Sequence, residues 1–294
     1  MRSVSRMMAT VVAVLSIMVC SMASALAAAA TSTIDWNESV VRVAGYGIAP
    51  ANARTPSLAR LMARRAAIAD CQRQMAEAVA GVSVDAETTV EMAAVSSDVV
   101  RTHVSAVVNG ARIVSERVVG DSYEVTMEVP MFGVRSIAGA VMARPERIEA
   151  FPAPVASVDP SPVLTTGSAE SSKGSSAAPA PSGRAIGGFT GLIVDCRGMD
   201  LNPVMSPVIY NENGQPIYGY KNLDYDKVVA NGMAGYAKTM EQARRAGSNP
   251  LIVKAVSLKR HNSFPVLSNA DANRVLIENG ASQFLDKTNV VFLR

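Results

Sequence analysis

The sequence predicts an α+β protein of two small domains, the first a long helix packed on an antiparallel sheet, the second a mixed α+β domain. Three observations predict it. A capped helical run over 55–81 precedes a pair of alternating strands over 111–131. A tract over 151–188 is rich in proline, serine and alanine and sparse in charge, so it cannot bury a core and reads as a linker. From Phe189 onward, strand and helix patterns mix again to the end of the chain. The expected division is 1–27 export signal, 28–150 first domain, 151–188 linker and 189–294 second domain.

The export signal has the charged start Arg2 and Arg6, an apolar run from Met7 to Val19, and the small-x-small site Ala25-Leu26-Ala27. The apolar run is short for a membrane span, which needs about 20 residues. Cys20 invites a lipoprotein reading, but the position before a lipidated cysteine is normally small and here it is Val19. Cleavage after Ala27 is therefore expected, with an acylated Cys20 as the alternative. The mature chain would be periplasmic or outer-membrane-associated.

Residues 39–47 read as a short strand ending in glycines. The Gly45-x-Gly47-x-x-Pro50 spacing is a poor dinucleotide loop because a third glycine is missing. No cofactor is expected, and the glycines are read as a turn from strand to helix. The helix then opens with Thr55 as N-cap and Pro56 at the first helical position, and stops at Gly81. One face carries Leu58, Leu61, Met62, Ala69, Ala76 and Val79. The other is nearly all small, with Ala59, Ala63, Ala66, Ala67 and Ala78. Small residues let a backbone approach closely, so the alanine face suits a sheet or a second helix, and Ala63 and Ala67 are its candidate interface residues. Asp70, Arg73 and Glu77 stand at ion-pair spacing. Arg60, Arg64 and Arg65 read as a solvated face, with an anion or membrane-surface patch as the alternative.

Residues 82–92 alternate apolar and polar throughout and read as a half-buried strand. Helical spacing of Val100, Val104, Val107 and Val108 behind Ser97 or Asp98 suggests a helix over 97–109, weakened by its valines. Residues 111–119 and 122–131 form a hairpin around Gly120-Asp121. In the second domain, 190–195 reads as a buried strand and Asn213-Gly214 as a hairpin turn. Residues 226–246 look helical despite Gly232 and Gly235, and Leu251–Leu258 reads as a strand. A capped helix runs from Ser268 to Asn279-Gly280, and a strand closes the chain over 288–293.

Composition narrows the function. Hydrophobic residues make up 49% of the 294, enough for packed cores, and aromatic residues only 5%, which disfavours carbohydrate or base stacking. The formal charge of +3 falls to near zero once Arg2 and Arg6 leave, so no electrostatic case for nucleic acid survives. His103 and His261 have no second ligand at metal spacing. No serine stands in a Gly-x-Ser-x-Gly turn. A Cys196–His261 nucleophile pair lacks a surrounding signature, and Cys71 and Cys196 read as separately buried thiols. An enzyme is not expected. The one polar cluster is Asp195-Cys196-Arg197-Gly198 at a strand end, where Asp195 and Arg197 point to the same side. It is read as a structural ion pair, with a pocket for a small ligand or peptide terminus as the alternative.

The Gly45-x-Gly47-x-x-Pro50 turn, the run Ala63-Arg64-Arg65-Ala66-Ala67-Ile68-Ala69-Asp70-Cys71, the Gly81-Val82 stop and the Gly110-Ala111-x-Ile113-Val114 step resemble the bacterial LPP20 lipoprotein family. Similar units occur in flagellar outer-membrane proteins of the FlgP type and in the N-terminal part of FlgT. The likeness covers residues 40–131. It implies a helix on an antiparallel sheet, used for assembly in the cell envelope, with envelope or flagellar proteins, or further copies of itself, as partners. Members are typically lipidated, and Val19 before Cys20 departs from that pattern. The second domain is similar to an accessory domain found beside such modules. A soluble periplasmic binding module using the strand end at 195–198 is the alternative function.

Overall fold

A computed structural model describes residues 32–154 and 184–294. The signal segment, Cys20 and most of the linker lie outside the described residues. The first domain runs β1 (Thr33–Asp35), β2 (Val40–Ile48), α1 (Pro56–Ala80), α2 (Val90–Ser96), α3 (Asp98–Asn109), β3 (Arg112–Val119), β4 (Ser122–Pro130) and α4 (Ile137–Val141). Its sheet has the order β1-β2-β4-β3 and is antiparallel throughout.

α1 starts where its local chemistry says it should. The Thr55 hydroxyl accepts from the Leu58 N–H at 3.2 Å, and Pro56 follows it. Arg73 pairs with Asp70 at 2.9 Å and with Glu77 at 2.7 Å. The alanine face lies on the sheet: Ala63, Ala67, Cys71 and Met75 are buried against β2 and β4. Gly45 and Gly47 permit this approach from inside β2, and do not turn the chain as the sequence suggests. A Cβ at Gly45 would sit 2.6 Å from both the Ala67 carbonyl oxygen and the Cys71 nitrogen. One at Gly47 would overlap the Ala63 carbonyl oxygen and the Ala67 nitrogen. The Cys71 thiol donates to the Val125 carbonyl at 3.0 Å. The opposite face, with Leu58, Leu61, Met62, Ala69 and Ala76, is turned to solvent, and only Val79 of that set is buried.

The expected strand over 82–92 is not a strand. Ser83 and Thr89 make one isolated bridge, and the Val84 N–H donates to the Thr88 carbonyl. Asp85 Oδ1 accepts from the N–H groups of Glu87 and Thr88, each at 2.8 Å, closing a tight loop. Thr89 then caps α2, which begins at Val90. A period of two fits this loop because its ends point into the core, but the aspartate supplies the hydrogen bonds that a neighbouring strand would have supplied.

The second domain runs β5 (Gly191–Asp195), β6 (Ile209–Asn211), β7 (Pro216–Tyr218), α5 (Tyr225–Asn231), β8 (Gly235–Ala237), β9 (Pro250–Lys259), β10 (Phe264–Leu267), α6 (Asn269–Ser282) and β11 (Val290–Leu293). These strands form a mixed sheet of order β7-β6-β10-β9-β5-β11-β8. β5 and β11 are parallel neighbours and read as unbroken apolar runs because both of their faces are covered. The expected helix over 226–246 stops after seven residues. Gly232 takes φ +75°, which turns the chain out of the helix, and β8 and two short 3₁₀ turns follow. Arg245 holds this corner by donating to the carbonyls of Asn231, Gly232 and Thr288. At the start of the domain, the buried Glu278 carboxylate accepts from the N–H groups of Ile186 and Gly187, at 2.9 and 2.8 Å.

The two domains share one continuous apolar core. The 82–88 loop is a main joint: Ser83 and Val84 carbonyls accept from Met205 and Ser206 N–H groups at 3.0 and 2.8 Å. Trp36 meets Tyr236 edge to face, with centroids 5.5 Å apart. Arg260 pairs with Glu87, and Arg144 pairs with Asp226 while lying over the Tyr225 ring. Heat or urea is therefore expected to unfold both domains in one transition, seen alike by far-ultraviolet circular dichroism and tryptophan fluorescence. Two separated transitions would contradict a shared core.

Candidate functional site

The strand end picked out in the sequence is a closed unit. Arg197 donates Nε to Asp195 Oδ1 at 2.9 Å, a terminal nitrogen to Oδ2 at 2.7 Å, and its backbone N–H to Oδ1 at 3.1 Å. The two side chains satisfy one another within a single turn of chain, which is the structural ion pair expected. Neither residue lines any of the four cavities described among these residues. The Arg197 guanidinium beside Asp195 holds its carboxyl below the usual carboxylate range. A depressed carboxylate contributes stability that is present above its unfolded pKa and lost as pH falls through the folded one. Asp195→Asn is thus expected to remove about 0.5–1 kcal/mol at pH 7, less what solvent screening takes from so exposed an arginine, and less again at pH 2, as the carboxyl protonates. Urea midpoints at the two pH values check this; an equal loss at both would contradict it.

Burial pushes the Cys196 thiol up to about 12, and the Cys71 thiol is raised for the same reason. Both cysteines are free and buried. A thiol in that state is a poor nucleophile, which argues against pairing Cys196 with His261 as a reacting dyad. Among the described residues, no group of three or more histidine, cysteine or acidic side chains is placed to hold a metal ion.

What the fold presents is surface. Ala63 and Ala67, the candidate interface residues, are taken by the chain's own β2, so they serve as core in this fold. The exposed side of α1 carries the larger apolar residues, and β3 is the outer strand of its sheet, with Val114, Val118 and Val119 exposed. A groove of about 480 Å³ runs between α1, α2 and α3, lined by Ala76, Val90, Val95 and Val104 and edged by Arg73 and Arg101. A second, larger cleft of about 670 Å³ lies between the domains. Tyr210 and Phe264 line it, with Glu87 and Glu149 from the first domain and Lys221 and Arg260 from the second. Its charges of opposite sign largely answer one another, Arg260 to Glu87 and, at 3.9 Å, Lys221 to Glu149.

Sequence reasoning missed both the joint at 82–88 and the outward turn of the leucine face. The signals were present: Asp85 three residues before Thr88 is an Asx-type loop, and Thr89 with Glu91 in the next turn is a helix start.

Comparison with known proteins agrees with the two-part reading. Residues 35–130 match the LPP20 lipoprotein family, as the resemblance in the first domain implied. Residues 191–294 match the family described as the second domain of Treponema pallidum Tp0624. No curated protein matches the chain. Among the described residues, no helix is long and apolar enough to cross a membrane.

Proposed function

We propose that this protein is a non-enzymatic cell-envelope protein that serves as an assembly component of an outer-membrane-associated complex, a flagellar one included. The observation that carries the reading is the LPP20 lipoprotein match across the first domain. A lipoprotein family points to export and to association with the envelope, in line with the charged and apolar start of the chain and its Ala25-Leu26-Ala27 site.

The surface chemistry supports assembly over catalysis. Polar groups in the cleft and at the Asp195 strand end are paired with one another, where an active site would hold an acid, a base or a nucleophile in reserve. β3 offers one side of an eight-residue strand to a neighbour, and strand addition at such an edge supplies main-chain hydrogen bonds without a specialised pocket. The apolar groove beside α2 suits a protein segment better than a small polar substrate. Partners are other envelope proteins or further copies of this chain.

Cell fractionation with cross-linking tests the reading. The protein is expected in the envelope fraction, cross-linked to itself or to a small set of envelope proteins. Recovery as a free periplasmic monomer with no cross-linked species would contradict it.

A further inference from the structure

We infer that the projecting end of α1 docks on an anionic lipid bilayer. The inference rests on the envelope reading above and says where the folded chain meets the membrane.

The last cross-strand row of the first sheet is Ile48–Ser122–Val119. α1 crosses the sheet just inside that row, because Ala63 and Ala67 lie on Gly47 and Arg64 Nε reaches Glu116 Oε2 at 2.6 Å. Moving along α1 from Ala67 to Cys71 moves along β2 from Gly47 to Gly45, away from Ile48. The residues before Ala63 therefore run the other way, past the end of the sheet. From Pro56 to Met62 that is roughly 10 Å of helix, at about 1.5 Å per residue.

This end is apolar where it should be wet. Leu58 is 40% exposed, Leu61 47% and Met62 37%, and their i, i+3, i+4 spacing makes one stripe. At the end of the sheet below them, Val118 is 56% exposed. The charge at this end is mostly positive, with Asp121 at the tip of the β3–β4 turn as an acid of the same end. No Asp or Glu occurs from residue 39 to 69, and the stretch holds Arg42, Arg54, Arg60, Arg64 and Arg65. Arg42 and Arg64 are paired with Glu128 and Glu116, whereas Arg54, Arg60 and Arg65 take part in none of the ion pairs among the described residues. All three are exposed at this end: Arg65 stands one turn after Leu61 and Met62 within the stripe, Arg60 on the side of the helix that carries Ala63 and Ala67, and Arg54 just before the N-cap.

Leucine and methionine at a projecting helix end that also carries unpaired arginines form the pattern of an end seated at a headgroup boundary. The apolar side chains enter the acyl edge and the guanidinium groups meet lipid phosphates. The arginines decide the occupant. A neutral apolar partner closing over this end would leave its excess positive charge unanswered, while an anionic bilayer gives that charge a counter-charge over a broad surface. So few apolar groups make the contact peripheral and reversible.

The test is sedimentation of the full mature protein with vesicles of phosphatidylcholine, with and without phosphatidylglycerol. The variants are Arg54→Gln/Arg60→Gln/Arg65→Gln and Leu58→Glu/Leu61→Glu, each checked for an unchanged melting curve. Wild type is expected to favour the anionic vesicles. The arginine variant should lose about fivefold in partitioning per charge removed, and binding should weaken with salt. The leucine variant should also lose binding. If Cys20 is acylated, the lipid chain is common to all three forms and their ratios still read the α1 surface. Equal binding to both vesicle types, or variants that bind like wild type, would overturn the inference. So would a leucine variant whose native mass changes without lipid, because that assigns the stripe to a protein contact. A protein that stays in a multi-copy envelope complex but ignores vesicles overturns this inference alone. A soluble monomer that still binds vesicles overturns the assembly reading alone.

Discussion

Gly47→Ala is expected to be among the most destabilising single changes in the chain, weakening both domains together because they share one core. The added methyl group has no room, because it would overlap the Ala63 carbonyl oxygen and the Ala67 nitrogen and sit 2.9 Å from the Ala66 Cβ. These are backbone atoms of a 25-residue helix that cannot rotate aside as a flexible side chain would. Relief requires α1 to lift from β2, which exposes Ala67, Cys71, Met75 and Val79 together. The expected cost is about 4 kcal/mol or more, at the upper end for single substitutions. Gly280→Ala is the control. It lies in α6 with nothing within 4 Å of a built Cβ, and should stabilise by about 0.5–1 kcal/mol through helix propensity. Urea denaturation of the three proteins decides the matter. A Gly47→Ala protein as stable as wild type would show that α1 does not sit on β2 as described.

Tyr236→Ala is expected to be the most damaging change at the joint between the domains. The ring packs edge to face on Trp36 from the first domain and, at 5.6 Å, against Phe292 from the core of the second. Its hydroxyl donates to the Val204 carbonyl at 2.8 Å and accepts from the Val204 N–H at 3.0 Å. Burial raises the phenol well above its ordinary value, so it stays neutral throughout the working range. Truncation leaves a cavity and strands both Val204 groups, for a loss of about 4 kcal/mol. Tyr236→Phe keeps the ring and strands only the Val204 groups, for about 1–3 kcal/mol. Both values come from denaturant midpoints followed by Trp36 fluorescence. Because Trp36 and Tyr236 come from different domains, the alanine variant should also loosen their coupling. Equal stability of the alanine and phenylalanine variants would contradict the packing role of the ring.

The parts of the fold that sequence reveals are those with local chemistry. Thr55-Pro56 and Gly81 bound α1 because capping needs only neighbouring residues, and Gly120-Asp121 sets the β3–β4 turn for the same reason. The misread parts depend on distant partners or on one backbone angle. Alternation over 82–92 does not distinguish a strand from a loop held by Asp85, and the difference lies in what receives the hydrogen bonds. The helix expected over 226–246 fails at one glycine, Gly232, whose positive φ has no periodicity to betray it. The small alanine face of α1 lies on the sheet as its residues suggested, but the outward turn of the leucines went unread. Leucines ordinarily mark the core, but Gly45 and Gly47 accept only the alanine face. Spacing of Ala63, Ala67 and Cys71 at every fourth residue opposite a Gly-x-Gly strand was the available signal. The docking of the two domains through Ser83, Val84, Met205 and Ser206 joins residues over a hundred positions apart and leaves no local mark.

At the candidate site, the sequence placed Asp195 and Arg197 on one side of a strand end, and the structure joins them as an ion pair. The sequence located the arginines of α1 but gave no reason to expect exposed leucines at the same helix end, since that depends on which face the sheet takes.

In the function proposed above, this chain works as an assembled part of the envelope. The most direct measurement is the native mass of the mature protein gently extracted from the envelope fraction. A complex of several copies, or of this chain with a constant partner, is the expected result. A single copy in the soluble periplasm, unchanged at the concentration found in the cell, would contradict it.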